Sequence, residues 1–154
     1  MGRYKTVAMG GTFDIIHKGH LALLDAAFLA SSHVIIGLTG DELAKAKGKK
    51  IFHTYEQRLG SLRSLVEERF PGRSYVISKL ENDFGPAAIE GDVDALIVSS
   101  ETEHQVEVLN RKRSERGLGK VESVVVPMVL AKDGTRISST RIRNAEIDTD
   151  GNLT

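Results

Sequence analysis

His17 and His20 stand three residues apart with Gly19 between them, directly after Gly10-Gly11-Thr12-Phe13-Asp14 and directly before an apolar segment with helical spacing. Two imidazoles at that spacing at the start of a helix can point to the same side, and both can donate hydrogen bonds to one anion. Paired glycines at a strand end remove Cβ obstruction and leave amide N–H groups free, while the following helix N-terminus favours negative charge. Phosphate suits this set of donors, with Gly19 letting it lie against the main chain. Donors aimed at a phosphate strengthen as charge builds in an in-line displacement, so groups that bind the anion also lower the barrier. Thr12 adds a hydroxyl, and Asp14 orients the turn. The rival reading is a metal site built from Asp14, His17 and His20. It is disfavoured by the positive charge that Lys18 and the helix terminus place beside the cation, and no metal ligand is assigned. Two better-known phosphate turns do not fit: Thr12 occupies the second glycine of G-x-G-x-x-G, and no G-x-x-x-x-G-K-[ST] occurs.

A second candidate cradle lies near the C-terminus, where Asp133-Gly134-Thr135-Arg136 leads into Ile137-Ser138-Ser139-Thr140-Arg141-Ile142-Arg143. Ser138 or Ser139 can cap a helix whose free N–H groups, with three consecutive hydroxyls and the fork of Arg141 or Arg143, would hold the outer phosphates of a nucleotide. Taken alone the stretch reads equally well as an ordinary N-cap followed by surface arginines. Lys45-Ala46-Lys47-Gly48-Lys49-Lys50 places four cations around a glycine, either a loop that closes over phosphates or a solvated one. Arg111-Lys112-Arg113 lacks interleaved aromatics and reads as a solvated helix face rather than a nucleic-acid surface.

These groups need a scaffold that brings distant turns together. β-Branched apolar runs at Tyr4–Met9, His33–Leu38, Tyr75–Leu80, Ala95–Val98 and Glu122–Val129 alternate with helical segments. The first helix follows Gly19 and stops at Ser31–Ser32. The second opens on a capping box, Thr54 with Gln57, and stops at Pro71–Gly72. The third runs from Glu101 to about Arg116, with Val106, Leu109 and Asn110 inward and Gly117 past its end. This alternation predicts an α/β, Rossmann-like fold: a mainly parallel sheet of about five strands with helices on both faces, binding ligands beyond the carboxyl ends of the strands.

Length and composition are compatible with that. The 154 residues suit a single domain over 1–154, with a loosely packed tail after about residue 147. The 21 Lys and Arg balance the 21 Asp and Glu, so the field of the whole chain does not favour nucleic acid or an anionic membrane, and an anion site must be local. Absence of Cys removes disulfides, thiolate nucleophiles and Cys-ligated zinc. The longest apolar runs, Ala26–Ala30 and Val124–Ala131, fall far short of the ~18 residues that span a bilayer. A cytoplasmic location is expected, with oligomeric state open.

The two cradles together resemble the His-x-Gly-His nucleotidyltransferases, and the chain is most similar to those of the archaeal phosphopantetheine adenylyltransferase type. The resemblance also runs through Gly37-Leu38-Thr39, Tyr55-Glu56-Gln57-Arg58, Asp83-Phe84-Gly85-Pro86, Val98-Ser99-Ser100-Glu101-Thr102 and Asn110-Arg111. It implies transfer of AMP from ATP to 4′-phosphopantetheine with Mg²⁺. His17 and His20 would be the catalytic pair on the ATP phosphates. Gly10, Gly11, Thr12, Phe13 and Gly19 would line the nucleotide site. Ser138, Ser139 and Thr140 would hold the nucleotide's outer phosphates, the motif's Arg falling on Arg143 with Arg141 as a second candidate, and Glu101 would continue the ATP site. Thr12, Lys47 or Lys49, and Arg58 would meet the acceptor phosphate. Ser100, Gln105 and Val106 depart from the family's acidic residue and glycine pair. Neighbouring readings are a nucleotidyltransferase for FMN, nicotinamide mononucleotide or an alcohol phosphate, and a module that binds a nucleotide or nucleic acid without turnover.

Overall fold

A computed structural model describes residues 3–82, 92–100, 102–127, 129–134, 137, 142, 145–149 and 151–153. The elements run β1 (Tyr4–Gly11), α1 (Lys18–Ala30), β2 (Ser31–Thr39), α2 (Asp41–Ala46), α3 (Tyr55–Arg69), β3 (Ser74–Leu80), β4 (Ala95–Ser99), α4 (His104–Glu115) and β5 (Glu122–Val126). The five strands lie in the order β3-β2-β1-β4-β5, and every pairing is parallel. This is the expected Rossmann-like α/β sheet. The chain moves outward from β1 through β2 to β3, then returns to β4 on the far side of β1. The strand order therefore reverses between β1 and β4, which is where open α/β sheets bind ligands.

Side-chain alternation explains why both faces are covered. Val7 and Met9 of β1 and Ala95 and Ile97 of β4 pack with Leu24, Ala27 and Phe28 of α1 and with Leu62 and Val66 of α3. Their neighbours Ala8, Leu96 and Val98 point to the opposite face and pack with Val106 and Leu109 of α4 and with Val121. Strands buried on both sides must be near-continuously apolar, as β4 is.

The helix ends follow from local chemistry. In α3, Thr54 accepts from the Gln57 N–H at 3.3 Å while Gln57 Oε1 accepts from the Thr54 N–H at 2.9 Å, closing the capping box. Gly72 and Gly117 take positive φ (73° and 72°) past the ends of α3 and α4. Ser31 both ends α1, its hydroxyl donating to Ala27 O at 2.8 Å, and begins β2 without a loop.

Three expectations are corrected. The last strand stops at Val126 rather than Val129, because Pro127 has no N–H for the ladder. Arg113 is buried, its Nε donating to Gly119 O at 2.9 Å, so only part of the 111–113 cluster is a solvated face. Nor are the described residues of the tail loose. Ile147 is buried and bridges Leu153, and the Lys132 N–H donates to Gly151 O at 2.9 Å. Among the described residues no helix is long and apolar enough to cross a membrane.

Candidate active site

The turn after β1 opens beside the point where the strand order reverses. His17 is the extended N-cap of α1 (φ −142°, ψ 180°), and His20 is the third residue of that helix. His17 Nδ1 accepts from the Gly19 N–H at 3.0 Å, and His20 Nδ1 accepts from the His17 N–H at 3.2 Å. The two imidazoles thus form a capping box of their own, a role usually filled by Ser or Thr with Glu or Gln. They stack with centroids 3.9 Å apart, and His20 lies 4.7 Å from the buried ring of Phe13.

This arrangement fixes the tautomer. A neutral imidazole whose Nδ1 accepts carries its proton on Nε2, across the ring. Each histidine therefore satisfies a main-chain amide with one nitrogen and keeps an N–H donor on the other. Burial, then His17, then the Lys49 charge lower the His20 pKa to about 3, from an ordinary value of 6.5. The unfolded chain takes up this proton near 6.5 and the folded chain only near 3. The resulting stability is complete above pH 6.5 and is lost as pH falls between those values. In ¹H–¹⁵N spectra of the imidazoles, His20 is expected to show the Nε2–H neutral pattern unchanged from pH 7.5 to 5. Titration within that range would contradict the capped geometry.

Gly19 has a reason the spacing did not supply. A Cβ there would stand 2.8 Å from His17 Cε1 and 3.0 Å from His17 Nδ1. The missing side chain makes room for the N-cap imidazole, independently of any approach by a ligand. Gly11 does the same for Phe13, whose ring would lie 3.0 Å from an added Cβ. A Cβ on Gly10 would meet Leu80 at 3.3 Å, so that glycine answers to packing on β3. Phe13 itself adopts φ 51°, a left-handed conformation unusual for a bulky residue and one that surrounding contacts must hold. Its side chain is buried, so only its main chain can serve a ligand.

The turn is tied to segments distant in sequence. The Thr39 hydroxyl donates to Gly11 O at 3.1 Å, and Lys49 Nζ donates to Thr12 Oγ1 at 3.2 Å. Gly48, at φ 73°, ends the short α2 segment and turns the chain so that Lys49 comes back to Thr12. Lys47 instead sits at the end of α2, with its N–H donating to Leu43 O at 3.1 Å. Of the two candidate lysines, Lys49 is the one brought to the first turn. Asp14 is buried, and its carboxylate accepts from the Phe52 N–H at 3.1 and 3.0 Å and from the His53 N–H at 3.0 Å. His53 Nδ1 lies 3.2 Å from the same carboxylate. Asp14 thus joins the first turn to the loop preceding α3.

Arg58 departs from expectation. It is buried and has no solvent-facing guanidinium to offer an acceptor phosphate. It donates to Thr12 O at 2.9 Å, Thr39 O at 2.6 Å, His53 O at 3.1 Å and Asp41 Oδ1 at 2.7 Å. Sequence reasoning missed Asp41 and His53 altogether and met Thr39 only within the Gly37-Leu38-Thr39 resemblance, with no role assigned to it. The local hint is Thr39 itself, the hydroxyl residue that closes β2 after the Val34–Leu38 run. Glu101, Ser138, Ser139, Thr140, Arg141 and Arg143 lie outside the described residues, as does the 83–86 segment. Ile137 and Ile142, within the second cradle, pack with Ala131 and Ile147.

The site therefore offers N–H donors, a hydroxyl and an ammonium, an assembly complementary to phosphate. The cytidylyltransferase-like family model matches residues 8–145, which span the whole of this assembly. A phosphopantetheine adenylyltransferase of Pyrococcus horikoshii is 43% identical over 155 residues, covering 99% of this chain and 96% of that protein. One of Methanopyrus kandleri is 38% identical over 148 residues, covering 96% and 94%. Among solved structures, a protein of unknown function from Archaeoglobus fulgidus aligns with a TM-score of 0.70 and 32% identity over 79% of this chain and 88% of its own.

Proposed function

The chain belongs to the cytidylyltransferase-like family, alongside the archaeal phosphopantetheine adenylyltransferases, and from that premise we propose how it carries out their reaction. It transfers AMP from ATP to 4′-phosphopantetheine, giving dephospho-coenzyme A and pyrophosphate. An oxygen of the acceptor phosphate forms a bond to the α-phosphorus. The opposite bond, to the oxygen bridging α and β, breaks, and its electron pair leaves with pyrophosphate. The observation that carries the reading is the histidine capping box at the N-terminus of α1, which commits both Nδ1 atoms to main-chain amides and so puts each ring's N–H on Nε2, in the turn beside the point where the strand order reverses.

The acceptor needs no general base. A phosphate monoester has its second pKa near ~6 and is largely dianionic at neutral pH, so positioning and charge neutralisation suffice. His20, kept neutral, donates to the α-phosphate oxygens as they gather charge, and His17 donates beside it. A cationic His20 would need its Nδ1 proton, which the cap forbids. Lys49 and Thr12 hold the acceptor phosphate against its target, supported by their mutual contact. Ser138, Ser139 and Thr140, with Arg143 or Arg141, take the outer phosphates, and Glu101 continues the nucleotide site.

Mg²⁺ fits as an ion carried by the nucleotide. The carboxylate of the first turn, Asp14, is held on the Phe52 and His53 amides, and among the described residues no group of three His, Asp or Glu could hold a metal. When bound, the ion would neutralise the outer phosphates that leave. The test is pyrophosphate release from ATP and Mg²⁺ across a panel of acceptors. Turnover is expected with 4′-phosphopantetheine, and turnover only with FMN or nicotinamide mononucleotide would overturn the assignment.

A further inference from the structure

Resting on that reading of the turn, we infer that Arg58 is a positioning residue for the transfer, acting through the Thr12–Phe13 peptide. The β1–β2 ladder runs as far as the pair Gly11 and Leu38. Beyond it the strands separate, because Phe13 turns into its left-handed conformation at φ 51°. The next carbonyls along, Thr12 O and Thr39 O, lose the partners a continuing sheet would supply. A single nitrogen of Arg58 takes both, at 2.9 and 2.6 Å, and so replaces the missing rung.

The rest of the guanidinium is held just as firmly. Its Nε donates to His53 O at 3.1 Å, and its second terminal nitrogen donates to Asp41 Oδ1 at 2.7 Å. A planar fork with donors in fixed directions can join the ends of two strands, the start of α2 and the loop before α3 at once. An ammonium on a flexible stem cannot. Burial of this charge is tolerated only because Asp41 and three carbonyls surround it.

The consequence for the site follows from peptide geometry. In a planar trans peptide the C=O and the next N–H point in opposite directions. By holding Thr12 O on the buried side, Arg58 turns the Phe13 N–H the other way, away from the core. No described residue accepts from that N–H. The direction of a main-chain donor at the phosphate-binding turn is therefore set by a residue 46 positions away that touches no substrate.

Arg58→Lys and Asp41→Asn test this, each assayed for steady-state turnover, thermal midpoint and the Phe13 amide resonance. For Arg58→Lys, kcat is expected to fall about 10- to 100-fold, as misplacement near 1 Å typically costs. Both KM values should stay within about threefold of the parent, and the Phe13 resonance should move. Asp41→Asn keeps the arginine and its three carbonyl partners but removes the countercharge beside it, and should give a smaller kcat loss of the same kind; it decides the matter if Arg58→Lys does not fold. A folded Arg58→Lys with parental kcat would overturn the inference. So would an acceptor KM that rises in step with the kcat loss, which would make Arg58 a ligand. If the parent fails to turn over 4′-phosphopantetheine, the functional reading is what fails. The Phe13 resonance then still decides the positioning role, and an unmoved resonance in both variants would sink it.

Discussion

His20→Ala is expected to lower kcat about 10²- to 10³-fold, the usual cost of losing one donor to a developing oxyanion, while changing ATP affinity by less than about threefold. The asymmetry arises because the Nε2–H bond to the α-phosphate strengthens as that phosphate becomes pentacoordinate, so little of it is felt in the ground state. The substitution also removes the acceptor for the His17 N–H, a loss of about 1 kcal/mol in helix capping. Turnover could therefore fall merely because the turn frays. His20→Gln separates the two effects. Gln at the third position of a capping box can still accept from the N-cap amide, but its NH₂ group lies beside that acceptor oxygen rather than across a ring, so the aimed donor is gone. The Gln variant should melt near the parent and yet keep most of the Ala variant's kcat deficit. Recovery of kcat together with stability would mean that His20 serves the fold alone, and the proposed chemistry would lose its central residue.

What spacing reveals and what it conceals divide along a physical line. The histidine pair was legible because a capping box is local: His17, Gly19 and His20 meet within one turn of helix whatever the rest of the chain does. The same holds for Thr54 with Gln57, and for the glycines after α3 and α4. The sheet was legible because strands buried on both faces must be apolar throughout, and the helices between them dictate parallel pairing. The cross-links that hold the site were not. By its helix pattern Arg58 is one more charged residue, and the resemblance makes it a ligand of the acceptor phosphate; neither reading buries it. Its burial depends on where β1 and β2 part, on a left-handed Phe13 and on Asp41, none of which a helix pattern encodes. Asp14 seemed suited to orient its own turn, and instead it anchors Phe52 and His53, a contact across 38 positions that only the folded register creates. Arg113 misled for the same reason. Its neighbours on α4 are solvated, but Gly119 O lies where its Nε can reach.

Gly19 is the residue on which the local and folded readings disagree most sharply, and a double-mutant cycle separates them. The spacing suggests that Gly19 is small so that phosphate can approach the main chain. The structure shows that an added methyl would sit 2.8 Å from His17 Cε1, well inside contact distance, and 3.0 Å from Nδ1. The His17 ring must then swing away, giving up both the Gly19 N–H and its stack on His20. Gly19→Ala is therefore expected to lower kcat by about 10- to 100-fold, the cost of misplacing an aimed donor. Stability should change little, because Ala gains up to about 1 kcal/mol over Gly in helix propensity while the cap loses a similar amount. In a His17→Ala background no ring is left to displace. There Gly19→Ala should cost less than about threefold in kcat, a strongly non-additive pair of the kind expected for residues in direct contact. If the Gly19 loss instead persists at full size without His17, the methyl must be obstructing the ligand itself, and the glycine would belong to the phosphate site rather than to the imidazole it accommodates.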